Sequence, residues 1–128
     1  MSWSQFHERN AFLTGLVERA TVDPDAALNF GPDEFEDLQR LFGDEENLLL
    51  ALRHRWLTLL TAKMDQAVDD DVPAEQVRAR LAEAQPGLRS LLDAGARRSL
   101  RLRSLERSED RIAEYFDGPG PRHRNVVA

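Results

Sequence analysis

The chain contains no cysteine, which excludes disulfides, thiolate metal ligation and a cysteine nucleophile. Lys63 is its one lysine among 17 basic side chains. A coding bias toward arginine accounts for that, so an arginine here is not by itself a sign of function. Ile112 is the one isoleucine, and no β-branched alternation occurs anywhere, which excludes a sheet-based fold. The longest apolar run is LLLAL at 48–52, far short of a membrane span. The N-terminal MSWSQFHERN shows no basic stretch followed by an apolar one, so no secretory leader is expected. These absences together predict a cytoplasmic protein that does not enter membranes.

Motifs for chemistry are missing as well. No glycine-rich loop follows a strand, and no E-x-x-H spacing marks a metal site in a bundle. His7, His54 and His123 lack carboxylates at helical spacing, and the serines at 90, 99, 104 and 108 have no local histidine base. A non-catalytic protein without cofactor or metal is the expectation.

What the chain does have is helical periodicity at a size suited to one domain, 128 residues with 41% apolar and 31% charged side chains. Ser2 and Gln5 are spaced as a capping box, and Trp3, Phe6, Leu13, Leu16, Val17 and Ala20 fall on one helical arc. Asp23-Pro24 and Gly31-Pro32 are helix starts. The second opens a short helix with acids at its positive end and Phe35, Leu38, Leu41 and Phe42 inward. Gly43 ends it, and Asp44 caps the next.

That next helix, 44–70, is apolar over more than half its circumference and is predicted to be the central, most buried element. Its polar line is His54, Thr58, Thr61 and Asp65. His54 and Asp65 stand roughly 16 Å apart, too far for a base and its orienting group. The line reads best as the edge of a buried helix. As an alternative, His54, Trp56, Thr58 and Thr61 are a candidate pocket for a small ligand. The run Asp69-Asp70-Asp71 sits at the negative helix end and predicts fraying.

From Val77 an apolar phase of alternating four- and three-residue steps runs through Leu81, Ala84, Leu88, Leu91, Gly95, Leu102, Leu105, Ile112 and Phe116. Arg98 and Glu109 interrupt it as charges in the seam, and Gln85-Pro86-Gly87 interrupts it as a break. A straight helix of this length would span about 60 Å, so a bend at Pro86 is favoured over an overhang covered by a second copy of the chain. The architecture expected is all-α: a compact antiparallel bundle of four to five helices over residues 1–117, then a flexible tail at 118–128.

The stretch DPDAALNFGPDEFEDL resembles a helical segment of the small alpha subunits of two-subunit ring-cleaving dioxygenases. The resemblance covers sixteen residues. It implies a short helix after a glycine and carries no function across.

Charge is unevenly distributed. Residues 1–50 carry eleven acids and three bases, whereas residues 76–128 carry seven and eleven, in a chain of net charge −6. Arg97, Arg98, Arg101, Arg103 and Arg107 are the candidate partner-binding residues. Spacing predicts that Arg103, Arg107 and Arg111 pair with Glu106, Asp110 and Glu114 one turn on, leaving Arg97, Arg98 and Arg101 in surplus. The first reading is that this surplus neutralises the acidic helix beginning at Pro32. A protein partner or a homodimer comes next. Nucleic acid is disfavoured by the acidic whole and by Glu106, Glu109, Asp110 and Glu114 diluting the stripe.

Overall fold

A computed structural model describes the backbone of residues 2–117 and the side chains of 2–112. The expected tail at 118–128, His123, and the side chains of Glu114, Tyr115 and Phe116 lie outside the described residues. Within them the chain is helical and contains no strand. Seven helices follow one another: α1 (Trp3–Ala20), α2 (Pro24–Ala27), α3 (Pro32–Phe42), α4 (Glu45–Asp70), α5 (Ala74–Ala84), α6 (Pro86–Arg98) and α7 (Leu100–Asp117).

Local chemistry sets most boundaries. The Ser2–Gln5 capping box forms in both directions, satisfying two of the orphan donors at the start of α1. Asp23 Oδ1 accepts from Ala26 N at 3.1 Å and starts the single turn of α2. Gly43 closes α3 at φ 92°, a conformation that suits glycine. Asp44 Oδ1 then accepts from Asn47 N at 2.7 Å to open α4. Despite its three aspartates, α4 runs to Asp70 and ends on Asp71 in the left-handed region, φ 54°.

Seven elements stand where four to five were expected, for two reasons. One is α2, too short to read as a helix of its own. The other is that residues 73–117 break twice. Pro86 begins α6, as QPG suggests. Ser99 then adopts an extended conformation (φ −127°, ψ 119°), and its hydroxyl accepts from Leu102 N at 3.2 Å to cap α7.

Two helices share the centre. α4 packs against α3, α5, α6 and α7, while α6 packs against α1, α2, α4, α5 and α7. Leu48, Leu49, Leu52 and Trp56 of α4 meet Leu88, Leu91 and Leu92 of α6 and Leu102 of α7 in one apolar core, each at most 1% exposed. Such side chains contribute about 1.5–3 kcal/mol each on burial. α6 approaches α1 closely because Gly87 has no side chain: a Cβ there would overlap the Val17 carbonyl oxygen and stand 2.6 Å from Thr21 Oγ1.

Burial departs from expectation at several places, among them Phe35, expected inward on α3 and 44% exposed. Beyond Leu60 α4 is largely open, with Ala67 buried but Val68 76% exposed. Trp3 and Phe6 are exposed as well, stacked on each other with His7 edge-on to Trp3, because no element among the described residues lies over the first turn of α1. Ile112, assigned to the core by its phase, is 57% exposed, since α7 turns a carboxylate and not Ile112 toward α4 and α5.

Candidate functional site

Two places concentrate charge: a buried network where α7 meets α4, α5 and α6, and the outer face of α7. They are built from the same helix and determine each other.

The network begins with Arg53 and Trp56, which share the inward side of α4. Glu106 and Glu109 approach from α7, Arg78 from α5 and Arg89 from α6. Arg53 Nη1 donates to Glu106 Oε2 at 3.1 Å and lies 3.3 Å from Glu109 Oε1. Glu109 Oε2 accepts from Arg78 Nε at 3.0 Å and from the Trp56 indole at 3.3 Å. Glu106 Oε1 accepts from Arg89 Nη2 at 2.6 Å. Arg89 also holds Asp93 and lies 4.6 Å over the Trp56 ring, a cation–π contact. Arg78 further pairs with Asp110 and Glu75. Burial works to lower the Arg78 pKa, but the hydrogen bond to Asp110 and the charges of Glu109, Asp110 and Glu75 outweigh it, and the net shift is upward.

These charges are well buried: side-chain exposure is 10% for Arg53 and 8% for Glu109. Removing charges from water costs several kcal/mol per ion, and close pairing with further hydrogen bonds offsets that cost. The intact network therefore adds little net stability, although losing one partner is costly. Above it lies a groove of about 390 Å³ lined by Trp56, Arg78, Arg89, Asp93, Glu106 and Asp110 among others. Every charged group in that set is already bound to another side chain. The groove holds no histidine or hydroxyl that could act as a base or nucleophile. Among the described residues no cluster of histidine and carboxylate could hold a metal ion.

The candidate pocket of the sequence reading is not assembled. Trp56 is buried and faces the groove, whereas His54, Thr58 and Thr61 are exposed along another side of α4, with Thr58 Oγ1 donating to the His54 carbonyl oxygen at 3.0 Å. They form the polar edge of the helix.

The candidate arginines separate into three groups. Arg97 pairs with Asp25 at 3.1 Å and Arg98 with Glu45 at 2.6 Å. The acidic half of the chain does take them, but through residues flanking α3 and not through α3 itself. The break at Ser99 also removes both from the face of α7. Arg103 turns back to the end of α6, donating to the carbonyl oxygens of Ala96 at 2.9 Å and Arg97 at 3.3 Å, which complements the negative helix terminus. Arg101 and Arg107, together with Arg111, are exposed and have no ion pair or hydrogen bond to a side chain among the described residues.

Two of the three expected one-turn pairs on α7, Arg103–Glu106 and Arg107–Asp110, do not form, because their acids are used elsewhere. Glu106 goes to Arg53 and Arg89, and Asp110 goes to Arg78. Glu114 lies outside the described side chains. With Glu106 and Glu109 turned inward and Asp110 held by Arg78, the other exposed residues of α7 within the described side chains include Leu100, Arg101, Ser104, Arg107, Arg111 and Ile112. Leu100 is 76% exposed. Sequence reasoning missed Arg78 and Arg89 and the pairing of Arg53 with Glu106 and Glu109. The available signal was a charge at an apolar phase, Arg53 four residues after Leu49 and Glu109 between Leu105 and Ile112.

No protein-family model, curated protein or solved structure matches the chain. Among the described residues no helix is long and apolar enough to cross a membrane.

Proposed function

We propose that this protein is a non-catalytic protein-interaction module whose docking surface is the outer face of α7, and that its partner presents an acidic surface. One observation carries the reading. The three acids of α7 within the described side chains, Glu106, Glu109 and Asp110, all engage Arg53, Arg78 or Arg89, so Arg101, Arg107 and Arg111 face solvent with no counter-charge among the described residues. In a chain of net charge −6, three cations unpaired among the described residues contrast with Arg97 and Arg98, which Asp25 and Glu45 neutralise.

Nucleic acid fits less well. The acids of the N-terminal half would enter the phosphate field, and Leu100 and Ile112 have nothing to contact on a phosphate backbone. Binding of fluorescent poly-L-glutamate, measured by anisotropy at two salt concentrations, tests the reading. Binding should weaken with salt and disappear in the R101A/R107A/R111A triple variant, whose fold circular dichroism should show intact. Undiminished binding by that variant, or none by the native chain, removes the proposal.

A further inference from the structure

Ser99 is the one residue between α6 and α7, and it breaks the helix by its own dihedrals (φ −127°, ψ 119°). Its backbone still makes both bonds of a continuous helix: Ser99 N donates to the Gly95 carbonyl oxygen at 2.9 Å, and its carbonyl accepts from Arg103 N at 3.0 Å. The bonds that are missing are those from the N–H groups of Leu100, Arg101 and Leu102 to the carbonyls of Ala96, Arg97 and Arg98. Side chains stand in for them. Ser99 Oγ accepts from Leu102 N at 3.2 Å, and the Arg103 guanidinium donates to the Ala96 and Arg97 carbonyl oxygens at 2.9 and 3.3 Å. The break at Gln85 has the same backbone pattern, but there Pro86 lacks an N–H and opposes a continuous helix. Nothing comparable stands at Ser99. Its neighbours in the run ARRSLRLR, residues 96–103, are alanine, arginine and leucine, all good helix formers. The apolar phase of Leu91, Gly95, Leu102 and Leu105 also runs on through the break, the pattern of one helix and not of two.

Independently of the acidic-partner reading, we infer that Ser99 is an exchange hinge through which two copies of this chain trade α7 and so dimerise. With Ser99 helical, residues 86–117 become one straight helix of roughly 48 Å, which carries α7 off its own α4 and α5. The seat it leaves is specific. Leu102 is fully buried there, and Glu106 and Glu109 engage Arg53, Arg78 and Arg89. The α7 of a second copy finds the same partners in that seat, so exchange needs no new complementary surface. The straightened connection regains the backbone hydrogen bonds missing at the bend. Leu100, 76% exposed beside the hinge, is covered where the two connections pass each other. Leaving the seat strands buried charge, so exchange is slow in the folded protein and takes place when chains refold together.

The experiment refolds the full chain from urea at about 10 μM and about 1 mM, separates the products by gel filtration and weighs them by light scattering. The higher concentration should yield a dimer that persists on dilution. Ser99→Ala removes the cap and favours a helical residue, so the dimer association constant should rise at least about tenfold. Leu100→Pro should stay monomeric at both concentrations with helicity unchanged by circular dichroism, because proline suits the first position of α7 after an extended residue and clashes within a straight helix. Insertion of Gly-Gly after Ser99 should act the same way, since a longer connection lets each α7 reach its own seat, and it alone decides if Leu100→Pro loses helicity. Leu49 and Leu102 both flank Gly95. In dimers assembled from isotope-labelled and unlabelled chains, filtered NMR should therefore show Leu102 methyls of one copy against Leu49 methyls of the other. Three results overturn the hinge: native and Ser99→Ala chains that are both monomeric at the higher concentration, a folded Leu100→Pro or Gly-Gly variant that dimerises as the native chain does, or a dimer whose Leu49–Leu102 contact lies within each copy.

Discussion

Arg53 Nη1 lies 3.3 Å from Glu109 Oε1, and that oxygen, fully buried, accepts no hydrogen bond among the described residues. The contact holds by charge alone, while the other carboxylate oxygen carries the hydrogen bonds to Arg78 and Trp56. Glu109→Gln keeps the shape and one acceptor but leaves Arg53 and Arg78 short of counter-charge. Removing one partner of such a buried group is expected to cost about 3–5 kcal/mol. Urea denaturation followed by circular dichroism measures it, and a loss below about 1 kcal/mol would show that water already reaches the site.

The surface pair Arg97–Asp25 is the matching control. Both side chains are mostly exposed, at 62% and 76%. Arg97→Ala is expected to change stability by no more than about 1 kcal/mol, with the difference shrinking further in high salt.

Gly87 reverses an ordinary helix rule. Glycine to alanine inside a helix normally gains about 1 kcal/mol. At Gly87 the new Cβ would meet the Val17 carbonyl oxygen in α1 and Oγ1 of Thr21, the residue that caps it, which cannot both move aside cheaply. Gly87→Ala is expected to destabilise by about 1–3 kcal/mol, seen as a lower urea midpoint at unchanged slope.

The two tryptophans report opposite environments, Trp3 at 74% exposed and Trp56 at 1%. In Trp3→Phe the remaining emission should be blue-shifted and resist acrylamide until unfolding. In Trp56→Phe it should resemble tryptophan in water from the start. Trp56→Phe also loses the indole donor to Glu109 and part of the platform under Arg89, so it should be the less stable of the two.

Much of this architecture was legible locally. The capping box at Ser2, the Asp44 cap, and the starts at Pro24, Pro32 and Pro86 depend on side chains within four residues of the boundary, so short-range chemistry reveals them. The break at Ser99 was hidden because the apolar phase passes through it: Gly95 and Leu102 stay in step on either side. A Cβ at Gly95 would stand 3.0 Å from Leu102 Cδ2, which shows how tightly the turn folds the two helices together. The buried network was hidden for a different reason. Arg53 and Glu109 are far apart in the chain, and each looks like an interruption until the other is brought beside it. With Glu106 and Asp110 drawn to other helices, the cations unpaired among the described residues are Arg101, Arg107 and Arg111 and not Arg97, Arg98 and Arg101.

The network also imposes an order on biosynthesis. Arg53, Arg78 and Arg89 leave the ribosome before Glu106 and Glu109, so a nascent chain of a hundred residues must keep three guanidiniums hydrated where the finished protein has an interior. Closure of the molecule waits on its last described helix, and a chain stalled short of it carries its unfinished core open to water.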